Sequence, residues 1–166
     1  MKLKYLTNKP SQTRKLGEVL AKEVLKTKPL EKALVIGLEG DLGGGKTTFL
    51  QGFAKGLGIK QRITSPTFII MKKFKIQSPK FRIQNLYHID CYRAEKPKEI
   101  LDLGFKKIVS SPKNIIIIEW ADRIHKILPT GTTILKFEFI DQTTRKITVG
   151  SLRLEILNSK VFQGRM

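Results

Sequence analysis

The 166-residue sequence lacks most of the features that would indicate a secreted or membrane protein. Its single cysteine, Cys91, excludes an intrachain disulfide and a cysteine-based metal site. No apolar run approaches the roughly 18 residues of a membrane-spanning helix, and residues 1–8 lack the apolar stretch of a signal peptide. Internal repeats and low-complexity tracts are absent as well. We therefore expect one cytoplasmic domain, residues 1–166, that does not enter a membrane.

Acidic residues are also scarce, with 14 Asp and Glu against 32 Lys and Arg, which gives a net charge of +18. One interpretation is a polyanionic partner, such as tRNA or an acidic protein surface. The other is a coat of solvated lysines, because the basic residues are scattered along the chain and few aromatic residues lie among them. Charge alone leaves both interpretations open.

Glycine, in contrast, is concentrated where it carries chemistry. Residues 40–47 follow the G-x-x-x-x-G-K-T pattern, and they come directly after the short apolar run 33–38. A strand, a glycine-rich loop and a helix in this order form a nest of backbone N–H groups around a polyphosphate. The lysine supplies charge to the phosphates, and the threonine hydroxyl can reach Mg²⁺. The predicted nucleotide-binding residues are Asp41, Leu42, Gly43, Gly44, Gly45, Lys46, Thr47 and Thr48.

A second acidic element is expected beside this loop, and Glu119 is the strongest candidate. It follows four consecutive isoleucines, residues 115–118, which are typical of a fully buried parallel strand. Ligands bind at the carboxyl ends of such strands, so Glu119 would hold Mg²⁺ and orient the attacking water. The alternative is an acid that only caps the following helix.

Residues 86–93 alternate polar and apolar side chains, and strand geometry would place His88, Asp90 and Tyr92 on one face. Asp90 could bind a metal or act on the hydrolytic water, with His88 orienting it. A hydrogen-bonded surface strand would show the same pattern. From spacing alone, both interpretations stay open.

The base is predicted to be adenine. The only Asn-Lys pair, Asn8-Lys9, is not followed by the x-Asp that guanine recognition would need. The only Asp-x-x-Gly, Asp41 to Gly44, lies inside the phosphate loop and cannot also serve as a switch. ATP with Mg²⁺ is therefore the expected cofactor pair.

The order of predicted elements indicates an α/β fold: a single P-loop NTPase domain with a mixed, mainly parallel sheet, helices on both faces and an inserted antiparallel hairpin. The two apolar strands would lie side by side or one strand apart. Helices are predicted at 11–27, capped by Ser11, and at 46–57, 97–103 and 121–128. Strands are predicted at 33–38, 67–76, 82–89, 114–119, 132–140 and 145–149, with a turn at 78–80 between the second and third.

Four motifs in this order resemble those of the TsaE (YjeE) family, bacterial ATPases required for threonylcarbamoyladenosine (t6A) formation on tRNA. The motifs are residues 40–48, 65–68, 88–93 and 118–120, and the resemblance runs from about residue 11 to residue 140. It implies TsaD and TsaB as partners, and slow ATP hydrolysis that the partners stimulate and that resets the synthase between turnovers. The segment after residue 140 carries no such implication.

The resemblance also implies roles for individual residues. Thr47 and Glu119 would serve Mg²⁺, and Asp90 would be a catalytic or metal-linked acid. Thr67 would sense the nucleotide. Thr13 would lie near the adenine, and Trp120 would lie by the nucleotide or at a partner interface.

Two rival functions remain compatible with the sequence. A small-molecule P-loop kinase would need an arginine-bearing lid, and no paired-arginine segment is present. A nucleotide-gated module that binds RNA or protein would use ATP to change its contacts, with incidental turnover.

Overall fold

The computed structural model describes residues 3–28, 30–65, 70–77 and 82–150, which build one seven-stranded sheet with helices around it. The strands are β1 Leu3–Thr7, β2 Leu34–Gly40, β3 Met71–Lys75, β4 Asn85–Asp90, β5 Asn114–Glu119, β6 Thr133–Phe139 and β7 Arg145–Val149. The helices are α1 Pro10–Lys26, α2 Lys46–Gly56, α3 Pro97–Asp102, α4 Phe105–Ser110 and a 3-10 helix, Ala121–Ile127.

The strand order is β1-β7-β6-β2-β5-β4-β3. The four central strands β6, β2, β5 and β4 are parallel, and antiparallel pairs complete the sheet at both edges. The predicted mixed α/β fold is confirmed, with β3 and β4 as the antiparallel pair. The two apolar strands β2 and β5 are direct neighbours, as one of the two predicted arrangements required.

Strands β2 and β5 are buried on both faces over most of their length, which explains why their sequences read as continuous apolar runs. On one face, α1 and α2 pack over the sheet through side chains such as Leu20 and Phe53. On the other face, α3, α4 and the 3-10 helix pack through Ile100, Phe105 and Ile124. All four isoleucines of β5 are fully buried between these two layers.

The helix that begins at the glycine-rich loop is held by close backbone contact with α1. A Cβ atom on Gly17 would lie 2.8 Å from the backbone nitrogen of Phe53, and one on Gly52 would clash with the backbone of Arg14. Real Cβ atoms do not approach backbone this closely, so larger residues would force the two helices apart. The glycines therefore let α1 fix the position of α2 and of the loop before it.

Local differences from the sequence predictions have simple causes. Helix α1 begins at Pro10 after the N-cap residue Lys9, so Ser11 is not its cap. Proline suits the first helical position, where its fixed φ fits and its missing N–H is not needed. Strand β1 and helix α4 were not predicted, because segments of five or six residues give little periodicity. The predicted turn at 78–80 lies outside the described residues.

Among the helices in the described ranges, none is both long and apolar enough to cross a membrane.

Candidate functional site

The candidate site lies at the edge where the carboxyl ends of the four parallel strands meet. The glycine-rich loop leaves β2 at Gly40, and its neighbour β5 ends at Glu119. The next strand, β4, ends at Asp90, which is the direct register partner of Glu119. Sheet topology thus brings three motifs, separated by up to 79 residues in sequence, to one edge, where ligands bind in open α/β sheets.

The glycine-rich loop turns into α2 through a left-handed backbone at Gly45, with φ of 97°. This conformation favours glycine because it lacks Cβ. Lys46 is only 5% exposed, and its Nζ donates to the carbonyl oxygens of Gly40, at 2.5 Å, and of Asp41, at 2.8 Å. Burial lowers the pKa of Lys46, while the nearby Glu119 carboxylate opposes this shift. An anion in the loop would therefore favour the charged form of this lysine.

Trp120 covers the lysine from the side of β5. Its ring centroid lies 4.0 Å from Lys46 Nζ, a cation–π distance, and 5.1 Å from the ring of Tyr92. Trp120 is the only non-glycine residue with positive φ in the described residues, at 59°. Such a backbone costs free energy in a bulky residue and is often found at functional sites. Trp120 therefore lies beside the loop, in a conformation that the surrounding contacts must hold.

Glu119 connects the loop helix to β4 through both oxygens of its carboxylate. Thr47 Oγ1 donates to Glu119 Oε2 at 2.8 Å, and His88 Nε2 lies 2.9 Å from Glu119 Oε1. Glu119 is 2% exposed and His88 is fully buried. The carboxylate is thus engaged with side chains of the site. His88, expected to orient Asp90, contacts Glu119 instead.

Asp90 forms a second, separate cluster. Ser65 Oγ donates to Asp90 Oδ2 at 2.5 Å, and the backbone N–H of Tyr92 donates to Oδ1 at 2.9 Å. Strand β4 ends at Asp90, so Tyr92 belongs to the following turn. A carboxylate has about four acceptor positions, and two hydrogen bonds leave room for a water molecule.

The remaining predicted residues differ in their distance from the loop. Thr13 is buried with its hydroxyl bonded to Thr7 at 2.8 Å, and its methyl group would lie 3.5 Å from a Cβ on Gly45. Thr13 therefore lies beside the loop, but its hydroxyl is already engaged. Leu42 is 77% exposed at the loop tip, and Thr48 is in the first turn of α2. Thr67 lies outside the described residues.

The sequence did not indicate a role for Arg145, whose side chain connects the glycine-rich loop to the β6–β7 turn. Its Nε donates to the carbonyl oxygen of Gly43 at 3.0 Å, and its guanidinium lies 4.4 Å from the ring centroid of Phe139. Between Trp120 and β6, a cleft of about 480 Å³ runs beside the loop and is lined in part by Asp41 and Phe139. Because 102 residues separate Arg145 from Gly43 in sequence, no local pattern could have indicated this contact.

The side chains of this site suit Mg²⁺ better than a metal ion that takes all of its ligands from the protein. Within the described ranges, no three His, Cys, Asp or Glu side chains are grouped to hold a metal ion. Mg²⁺ commonly uses one or two protein oxygens and takes its other ligands from phosphates and water. Thr47 keeps its lone pairs when it donates to Glu119, so the two residues could hold this ion beside a phosphate chain.

Comparison with known proteins gives one consistent family. A model of the family "Threonylcarbamoyl adenosine biosynthesis protein TsaE" matches residues 7–147. The tRNA threonylcarbamoyladenosine biosynthesis protein TsaE of Bacillus subtilis is 36% identical over 88% of this chain and 84% of its own. The protein of that name from Treponema pallidum is 35% identical over 72% of this chain and 84% of its own.

A solved structure agrees with the sequence relatives. The crystal structure of Bacillus subtilis YdiB has a TM-score of 0.73 at 31% identity, and the match covers 98% of this chain and 95% of that one. Fold and sequence therefore point to the same group of proteins. This chain belongs to the TsaE family.

Proposed function

We propose that the protein binds ATP with Mg²⁺ at the glycine-rich loop, hydrolyses it slowly and acts in the t6A modification of tRNA. One observation carries this proposal most strongly. The loop threonine, Thr47, donates to the buried acid at the end of the neighbouring strand, Glu119, directly beside the loop lysine. A phosphate-binding loop and a metal-holding acid need this proximity to act on the same phosphates.

Each residue then has a defined task. The loop N–H groups and Lys46 bind the phosphate chain, and the lysine exchanges its bonds to two loop carbonyls for bonds to phosphate oxygens. Thr47 and Glu119 hold Mg²⁺, which neutralises phosphate charge when bound. Asp90 uses its free acceptor positions to orient the hydrolytic water, with Ser65 and the Tyr92 N–H fixing its carboxylate.

The family assignment supplies the biological setting. Relatives of this chain carry the name of t6A biosynthesis proteins, which supports a role in the same tRNA modification. In this proposal the protein acts with TsaD and TsaB, and its ATP cycle resets the synthase between turnovers. Partner proteins raise its hydrolysis rate by completing the site, as activating proteins do for other P-loop switches.

The excess of basic residues extends the proposal to tRNA. Lys72, Lys73 and Lys75 are exposed along β3, which is the last strand of the described sheet. Lysines on an edge strand also prevent sheets from pairing edge to edge, so their presence needs a direct test. If they contact tRNA, replacing all three with Gln should weaken tRNA binding. The slope of the logarithm of the binding constant against the logarithm of salt concentration should also become shallower, by the amount that corresponds to about three phosphate contacts.

The test of the function is a reconstituted reaction with TsaD and TsaB from the same source, in which t6A formation and ATP hydrolysis are both measured. Wild-type protein should support t6A formation and hydrolyse ATP faster with its partners, and Lys46→Ala should do neither. Lys55→Ala is the matched control, because Lys55 is on the same helix with its side chain 76% exposed. Phosphorylation of a metabolite without t6A formation would instead favour the kinase.

A further inference from the structure

We propose that His88 is a positioning residue that sets the orientation of the Glu119 carboxylate toward Thr47 and thereby the affinity of the site for Mg²⁺. This inference rests on the proposed function and gives His88 a partner, Glu119, that the spacing of the sequence did not predict. Its basis is the hydrogen-bonded series from His88 through Glu119 to Thr47, at 2.9 Å and 2.8 Å.

The chemistry of the two groups fixes the direction of this contact. An ionised carboxylate only accepts hydrogen bonds, so His88 must carry its proton on Nε2 and donate it to Glu119 Oε1. The other oxygen of the same carboxylate accepts from Thr47. With one oxygen held by β4 and the other by α2, the carboxylate plane cannot rotate without breaking a buried hydrogen bond.

The other ring nitrogen shows that His88 is not placed here for packing alone. Its Nδ1 is buried and has no hydrogen-bond partner among the residues that the structure describes. A buried polar atom without a hydrogen-bond partner destabilises the fold, and an apolar side chain of similar size would avoid that cost. Leu86, the preceding inward residue of β4, is such a side chain and is fully buried. The histidine is therefore kept for the bond that its Nε2 makes.

The geometry also explains why the contact must come from this position. In the parallel β4–β5 pair, Asp90 lies beside Glu119, and His88 lies two residues earlier beside Ile117. From there the imidazole reaches Oε1 of Glu119, while Thr47 reaches Oε2 from α2. Residues that orient a ligand of a metal typically change metal affinity 10–100-fold when they are removed.

The experiment measures Mg²⁺ binding without using turnover. Trp120 is the only tryptophan and lies against Lys46, so its fluorescence can report ADP binding as Mg²⁺ is titrated. The variants are His88→Leu, which removes the donor, and His88→Gln, which keeps a donor at nearly the same reach. His125→Leu is the matched control, because His125 is exposed and its Nδ1 contacts the backbone carbonyl oxygen of Asp122 at 3.2 Å.

The Mg²⁺ midpoint is the Mg²⁺ concentration at which ADP binding is half complete. We expect His88→Leu to raise this midpoint about tenfold, with ADP affinity in the absence of Mg²⁺ unchanged. His88→Gln should restore most of the wild-type midpoint. If both variants change the melting temperature but leave the Mg²⁺ midpoint at the wild-type value, His88 is structural only and the inference is wrong. If the wild type itself shows no Mg²⁺-dependent ADP binding, the proposed function fails instead, so the two failures are distinguishable.

Discussion

The two acids at the carboxyl edge of the sheet are register partners on neighbouring strands, yet their surroundings differ. Glu119 is held between a fully buried histidine and the first turn of α2, all on regular secondary structure. Asp90 is held by Ser65, an exposed residue outside any helix or strand, and by the N–H of a turn. The Glu119 side is thus built on buried, regular elements and suits a metal ion, whereas the Asp90 side joins the sheet to a loop residue and a turn.

The largest effect is expected from Glu119→Gln, which removes the charge but keeps the shape. We expect ATP turnover to fall about 1,000-fold because the metal loses its protein carboxylate. ADP binding without Mg²⁺ should be nearly unchanged. Glu138→Gln, at a half-exposed acid paired with Lys146, serves as control. A Glu119→Gln variant with near-normal turnover would show that Glu119 does not hold the metal ion.

Asp90→Asn should lower turnover by about 100-fold, the usual scale for a residue that acts on a proton or on the attacking water. The Mg²⁺ midpoint of ADP binding should stay within about twofold of wild type, because Asp90 does not contact Thr47 or Glu119 through a side-chain hydrogen bond. An equal shift of the Mg²⁺ midpoint in both acid variants would remove the distinction between the two sides.

Ser65→Ala tests whether the activity of Asp90 depends on the hydrogen bond that Ser65 donates to its carboxylate. Its effect on turnover should be about threefold, since one hydrogen bond to a carboxylate is lost while the Tyr92 N–H still orients Asp90. The double variant Asp90→Asn, Ser65→Ala should then be no slower than Asp90→Asn alone. Additive losses, measured in the same assay, would mean that Ser65 acts independently of Asp90.

The smallest effect concerns Cys91, which follows Asp90 and is fully buried. Burial, and secondarily the Asp90 charge, raises the pKa of this thiol from 9.0 to about 12. Because the folded pKa is higher than the unfolded one, this contribution to stability is complete below pH 9 and is lost as the pH rises toward 12. We expect iodoacetamide to label Cys91 slowly at pH 8 in native protein and rapidly in urea; fast native labelling would contradict its burial.

The sequence predicted the parts of the site that depend on local pattern. The phosphate loop is visible as a run of glycines before Lys46, and β5 as an apolar run that ends in an acid, so both could be placed at one sheet edge from topology rules alone. The same rules left two arrangements of β2 and β5 open, side by side or one strand apart, and the structure has them side by side. Predicting these features requires only the direction of the strands and the spacing of apolar residues along the sequence.

The unpredicted parts depend on contacts between distant segments. The partner of His88 could not be known until the register of β4 against β5 was known, and the same holds for Arg145 and the carbonyl of Gly43. Strand β1 exists because β7 offers it an antiparallel partner, a fact that its own five residues do not encode. Long-range pairing therefore decides the residues that hold the site in place.

Mg²⁺-dependent ATP hydrolysis, measured side by side for wild type and Lys46→Ala, decides whether the glycine-rich loop hydrolyses ATP through Lys46. Circular dichroism should show that both are folded, since the lysine contacts the carbonyl oxygens of Gly40 and Asp41 and the ring of Trp120 and belongs to neither hydrophobic cluster. We expect slow hydrolysis by the wild type and none above background by the variant. Equal hydrolysis by the two proteins would show that Lys46 and its loop are not where ATP is hydrolysed.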